Sequence, residues 1–166
     1  MITGKYPSLR LRRSRKNDWS RRLIEENNLT ANDFILPIFL IDGKNKKQKI
    51  KSMPGVNRYS LDKIEYVIDR AIKIGLPMIA LFPYTEKKRK NLLGTEALNE
   101  DNLVCTALRL IKKKYKNEIG IMCDVALDPY TSHGHDGIIR SKYVLNDETI
   151  QILIKQSLLQ AQMGCD

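Results

Sequence analysis

An α/β fold with a parallel sheet is predicted by three features of the chain. Three continuous apolar runs of strand length lie at residues 34–41, 78–82 and 119–123. Amphipathic helical patterns follow each of them. Turn signals such as Asp42-Gly43, Gly75 with Pro77, and Gly164 punctuate the pattern. Continuous apolar strands alternating with such helices imply a parallel sheet covered by helices.

The elements follow in order. Residues 1–32 are basic and polar with scattered apolar positions, and read as an extended arm ending in a short helix over 19–27. The run 34–41 is the first strand, although Pro37 cannot donate to a ladder. Residues 44–59 are a polar connection containing Met53-Pro54-Gly55. Ser60 then caps a helix whose apolar face carries Leu61, Ile64, Val67, Ile68, Ala71 and Ile72. Strand 78–82 is followed by a lysine-bearing loop and a helix with Leu103, Val104, Ala107, Leu108 and Ile111 on one face. After strand 119–123 and a long loop, Asn146, Asp147 and Glu148 open a last helix, with Ile150, Leu153, Ile154, Leu158 and Ala161 inward. A fourth strand is expected to begin at Gly164-Cys165-Asp166. A (β/α)8 TIM barrel typically takes ~250 residues. The chain therefore reads as an arm (1–32) and an incomplete TIM-barrel domain (33–166) holding the first three or so β/α units. A small open sheet of flavodoxin type is the alternative, but no Gly-rich phosphate loop follows the first strand.

With 42% apolar and 29% charged residues, the 166-residue chain has the composition of a soluble globular domain. No apolar run approaches the ~20 residues of a membrane span, and Met1 to Lys5 lack the apolar core of a secretory signal. The cytoplasm is expected and no membrane partner is. Three cysteines make no Cys-x-x-Cys pair, and Cys105 and Cys123 read as packing residues. The net charge of +10 concentrates at Arg10 to Arg22, Lys44 to Lys51, Lys87 to Lys90 and Lys112 to Lys116. No cluster is interleaved with base-stacking aromatics, so a solvated or subunit-facing role is expected rather than nucleic-acid binding.

The segment Asp124-Val125-Ala126-Leu127-Asp128-Pro129-Tyr130-Thr131-Ser132-His133-Gly134-His135-Asp136-Gly137 carries the chemistry. It crowds three aspartates and two histidines where the third strand ends, and catalytic groups of parallel α/β folds gather at such strand ends. An ionised carboxylate beside a buried strand is costly unless paired, so Asp124 is either functional or held by a basic partner. Asp128 and Asp136 are metal-ligand candidates, or residues chosen for turn chemistry. His133 and His135 suit metal ligation or, more simply, ordering of the loop. Gly134 and Gly137 are expected to supply positive φ.

This segment resembles the porphobilinogen synthase family, also called delta-aminolevulinic acid dehydratase. Met53-Pro54-Gly55-Val56-Asn57-Arg58-Tyr59-Ser60, Gly94-Thr95-Glu96-Ala97, Asn146-Asp147-Glu148-Thr149 and the arm's Arg10-Leu11-Arg12-Arg13 resemble it too. The resemblance runs from the arm to the last residue. It implies a (β/α)8 barrel whose arm embraces a neighbouring subunit, usually in a homo-octamer. It also implies condensation of two 5-aminolevulinate molecules to porphobilinogen, in tetrapyrrole and haem synthesis, with loss of two waters. Two lysines of the family form Schiff bases with the substrate ketones. Asp124 is then an active-site carboxylate that holds a substrate ammonium or moves a proton.

Zinc-dependent members of the family carry cysteines where this chain has Ala126, Asp128 and Asp136. Two carboxylates and a methyl group favour a hard cation such as Mg2+, or no metal, over zinc. The resemblance is thus to the aspartate-rich, zinc-independent type. A Schiff-base lysine must be neutral near pH 7, which requires desolvation or a nearby cation. No lysine here stands in an apolar strand or matches the family's lysine motifs, which are expected beyond Asp166, so the 166 residues alone are expected to be inactive. The alternative readings are a non-catalytic basic module that binds phosphate or nucleic acid, and an assembly element.

Overall fold

The computed structural model describes residues 4–166. They divide into two compact units, one ending at Thr30 and the other running from Ala31 to Asp166.

Among its described residues, the first unit holds a 3-10 turn at Arg13–Arg15 and one short α-helix, α1 (Asp18–Leu23). It stops earlier than the expected 27, with the Ile24 amide closing its last turn on the Ser20 and Arg21 carbonyls. Arg21 and Arg22 reach Asp18 at 3.4 and 3.3 Å, but all three are well exposed, so each pair contributes about 0–1 kcal/mol. Trp19, Leu11 and Leu23 are exposed as well.

The second unit is built on a five-stranded sheet. Its strands are β1 (Ile35–Ile41), β2 (Lys47–Lys49), β3 (Asn57–Tyr59), β4 (Met78–Tyr84) and β5 (Gly120–Cys123), in the order β2-β3-β1-β4-β5. β1 is parallel to β3 and β4, β4 is parallel to β5, and β2 is antiparallel to β3. The three long strands are thus spatial neighbours in chain order. β2 and β3 lie within the stretch expected to be a polar connection. β3 pairs with β1 only at Phe39 and Leu40, which leaves Pro37 with an open flank, where a proline is tolerated.

Side chains alternate across a strand, and here they separate two unlike faces. Ile38, Leu40, Ile79, Leu81 and Ile121 are buried against α2 (Ile64–Lys73) and α3 (Leu103–Tyr115) through Ile64, Ile68, Leu108 and Ile111. The opposite face carries Ile35, Pro37, Phe39, Met78, Ala80, Phe82 and Met122. Phe39 and Phe82 stack there with ring centroids 5.6 Å apart. This second face is apolar but uncovered at its margins: Ile35 and Met122 are each 43% exposed.

Asn102 caps α3 by accepting the Cys105 amide at 2.8 Å. The expected cap at Ser60 is replaced by a long-range tie, in which the Ser60 hydroxyl accepts the Lys46 amide at 2.9 Å. The last helix, α4 (Asn146–Gln162), buries Thr149, Gln156, Leu159 and Gln160. Ile150, Ile154 and Leu158, expected inward, are exposed. Two sides of α4 are apolar, so periodicity alone does not choose between them.

After α4 the chain returns to the free edge of β5. The Asp166 amide donates to the Ile121 carbonyl at 3.0 Å, and the Asp166 carboxylate accepts the Ile121 amide at 2.9 Å and the Lys112 ammonium at 2.6 Å.

Candidate functional site

β5 ends at Cys123, and the alternation of its side chains places Asp124 on the same face as Gly120 and Met122. That face is the apolar one free of helices. Asp124 therefore stands at the carboxyl end of the parallel strands, one residue past the Cys123–Leu81 pair and only partly withdrawn from solvent.

The backbone that follows is pinned from several directions. The Gln160 side-chain amide donates to the Asp124 carbonyl at 3.1 Å, and Gln156 donates to the Ala126 carbonyl at 3.1 Å. The Asp136 carboxylate accepts the Leu127 amide through a short hydrogen bond. The Leu127 carbonyl accepts the amides of Tyr130 and Thr131 at 2.8 and 2.9 Å, forming a turn. Leu127 and Tyr130 fill a small second core with Ala97 and Ile138.

The loop after β4 closes against this turn. Asn91 donates its amide to Tyr130 and accepts the Ser132 amide at 2.9 Å, and Lys90 donates to the Asp128 carbonyl at 3.3 Å. Gly94 adopts φ 61°, and a Cβ there would lie 3.3 Å from the Thr131 methyl. The far side of the aspartate segment is a hairpin, β6 (Ile139–Arg140) with β7 (Tyr143–Val144). It is tied to α4 by the Thr149 hydroxyl, which accepts the Ile138 amide at 3.0 Å. Gly134 has the expected positive φ of 73°. Gly137 does not: it is required by space, since a Cβ would come within 2.6 Å of Val144.

The three aspartates share one electrostatic environment. Burial, and then the nearby carboxylates of Asp128 and Asp136, raise the Asp124 carboxyl above its ordinary value. Such a field favours a nearby cation and keeps Asp124 more readily protonated than a free carboxylate. Among the described residues, no three of His, Cys, Asp and Glu converge closely enough to hold a metal ion. Asp128 and Asp136 therefore offer two hard oxygen ligands rather than a closed site, and one oxygen of Asp136 is already engaged by Leu127.

His133 is accounted for by loop order. Its Nδ1 accepts the His135 amide at 3.2 Å, which places the proton on Nε2, where it is donated to the Leu92 carbonyl at 3.2 Å. The His135 carbonyl accepts the Thr131 hydroxyl at 2.8 Å. Sequence reasoning missed Gln156, Gln160 and Lys90, all of which act on main-chain carbonyls. The available signal was two glutamines at helical spacing on α4.

Residues 8–166 match the family model for delta-aminolevulinic acid dehydratase. The delta-aminolevulinic acid dehydratase of Bradyrhizobium diazoefficiens is 54% identical over 159 residues, covering 96% of this chain and 45% of that protein. The enzyme of the same name from Chlamydia pneumoniae is 40% identical, with 96% and 48% covered. A crystal structure of delta-aminolevulinic acid dehydratase (porphobilinogen synthase) from Toxoplasma gondii, in complex with the reaction product porphobilinogen, superposes with a TM-score of 0.89 at 34% identity. That superposition covers 95% of this chain and 45% of the Toxoplasma chain. The chain spans about half the length of the curated relatives it matches. A parallel sheet whose strand end carries the aspartate segment, and a match to the family over nearly all of its residues, make this chain a member of the delta-aminolevulinic acid dehydratase family.

Proposed function

We propose that these residues form the aspartate-bearing part of a porphobilinogen synthase, a lyase that condenses two 5-aminolevulinate molecules with loss of two waters. The observation that carries this reading is the placement of Asp124, with Asp128 and Asp136 near it, at the carboxyl end of a parallel sheet. Carboxylates at that end of a barrel serve catalysis. The uncovered apolar face, and long strands that neighbour one another in chain order, support a sheet that closes into a (β/α)8 barrel around that face. Residues 1–32 would then be the arm, and residues 33–166 the first β/α units.

Within this proposal, Asp124 holds the ammonium of a substrate molecule or exchanges a proton with it. The Schiff-base lysines lie beyond Asp166, so residues 1–166 alone do not turn over. Asp128 and the free oxygen of Asp136 suit Mg2+, which commonly keeps several waters and takes one or two carboxylates. They do not suit zinc, which favours a tetrahedral set of sulfur and nitrogen ligands. Assembly into a homo-octamer through the arm and a cytoplasmic location complete the proposal. No helix among the described residues is long and apolar enough to cross a membrane.

Borohydride reduction of the protein from its natural host in the presence of 5-aminolevulinate tests the reading. An intact mass well above that of the 166 residues, with a reduced adduct on a lysine outside them, is expected. An adduct on one of the lysines present here, or no adduct at all, contradicts it.

A further inference from the structure

We infer that Gln156 and Gln160 are positioning residues that set the aspartate segment from behind. On an α-helix, positions four apart are separated by about 6 Å along the axis. Alternate carbonyls of an extended chain are separated by ~6.6 Å and point the same way. The two spacings match only where helix and chain lie side by side. Here they run in opposite directions, as a helix returning along its own strand must. Gln160 accordingly meets the earlier carbonyl, Asp124, and Gln156 meets the later one, Ala126, each at 3.1 Å. The two amides thereby hold the peptide planes 124–125 and 126–127, one on each side of the Val125-Ala126 pair, and so limit the direction in which Asp124 leaves the strand end.

Gln156 is a polar side chain placed in the interior for one bond, its amide to the Ala126 carbonyl. It is fully buried, and its Oε1 has no hydrogen-bond partner. A buried acceptor left unpaired costs on the order of 1–3 kcal/mol, and methionine, of similar length but with no N–H, would shift that cost to the Ala126 carbonyl and release the segment. Gln160 is also buried. Both glutamines lie on the side of α4 that faces the segment, whereas Ile154 and Leu158 on the same helix are exposed. The inward side of α4 thus combines apolar packing by Leu159, Ile152 and Leu153 with two amides aimed at those two carbonyls. The catalytic consequence rests on the function proposed above. The positioning itself does not.

Two measurements keep those questions separate. The first uses the 166-residue chain and reads amide hydrogen exchange in Gln156→Met, Gln160→Met and Gln160→Glu, with Gln151→Met as an exposed control on α4. Glutamate keeps the shape of glutamine but, when ionised, only accepts hydrogen bonds. Exchange over residues 124–137 is expected to accelerate at least tenfold in the three variants and not in the control, while α2 and α3 keep their protection. Unchanged exchange over 124–137, or acceleration spread evenly over the whole chain, would overturn the inference. The second measurement uses the chain joined to the unmatched remainder of the Bradyrhizobium relative. In the same variants kcat is expected to fall at least tenfold with KM within about twofold, and an unaltered kcat would overturn the catalytic consequence. A chimera with no activity before any substitution removes the proposed function and leaves the exchange result standing.

Discussion

The Asp136 carboxylate accepts the main-chain amide of Leu127, nine residues earlier, and closes the aspartate segment on itself. One of the two residues expected to ligate a metal is therefore a clasp of the loop. Asp136→Ala removes the acceptor of a partly buried amide and should cost about 1–3 kcal/mol, read from urea denaturation. Asp136→Asn retains a carbonyl oxygen for Leu127 and should recover most of that loss. Equal losses in both variants would show that charge, and not the hydrogen bond, holds the loop.

Asp124 gives a pH signature with a definite sign. Its carboxyl is raised in the folded chain, first by burial and then by Asp128 and Asp136, so between the unfolded and folded values the native state binds more protons. Stability attributable to this group therefore falls as pH rises through that window. Asp124→Asn should raise the thermal midpoint at neutral pH, and the gain should vanish below the ordinary carboxylate value of 3.8. A midpoint lowered at neutral pH would contradict the assignment.

Asp166 behaves in the opposite way. The Lys112 ammonium holds its carboxyl below the ordinary value, so its contribution is present above 3.8 and is lost as pH falls further. Asp166 also accepts the Ile121 amide. The pair is partly exposed, which limits its worth to about 1 kcal/mol. Lys112→Met should remove that contribution above the window and change nothing at pH 2, as followed by thermal melts.

The two faces of the sheet predict different responses to truncation. Ile111 is fully buried between α3 and the sheet, and Ile111→Ala should cost about 2–5 kcal/mol. Met122 stands on the uncovered face, so Met122→Ser should leave the stability of the 166-residue chain within about 0.5 kcal/mol. The same substitution should reduce self-association in sedimentation. Concentration-independent sedimentation of the unsubstituted chain would argue that the face is not sticky.

The long strands and the helices that cover them were legible in the sequence because burial writes itself as periodicity. Ile38, Leu40, Ile79, Leu81 and Ile121 had to be apolar to pack under α2 and α3. β2 and β3 were not legible. Lys-Gln-Lys and Asn-Arg-Tyr carry no apolar run, and they enter the sheet through main-chain pairing, with Tyr59 the one side chain packed against the main core. The buried side of α4 was misread for a related reason: Gln156 and Gln160 are inward for their amides, which a hydrophobic pattern counts as outward. In the site, residue types pointed to Asp124, Asp128 and Asp136. The tie from Asp136 to Leu127 spans a loop whose course no spacing rule fixes.

The most direct test of the account joins residues 1–166 to the remainder of the Bradyrhizobium relative that they do not match, and measures porphobilinogen formed from 5-aminolevulinate. Turnover by the folded chimera is expected, with a loss of at least a hundredfold in kcat in Asp124→Asn and the fold unchanged by circular dichroism. A folded chimera that makes no porphobilinogen, or one whose turnover is indifferent to Asp124, would contradict it.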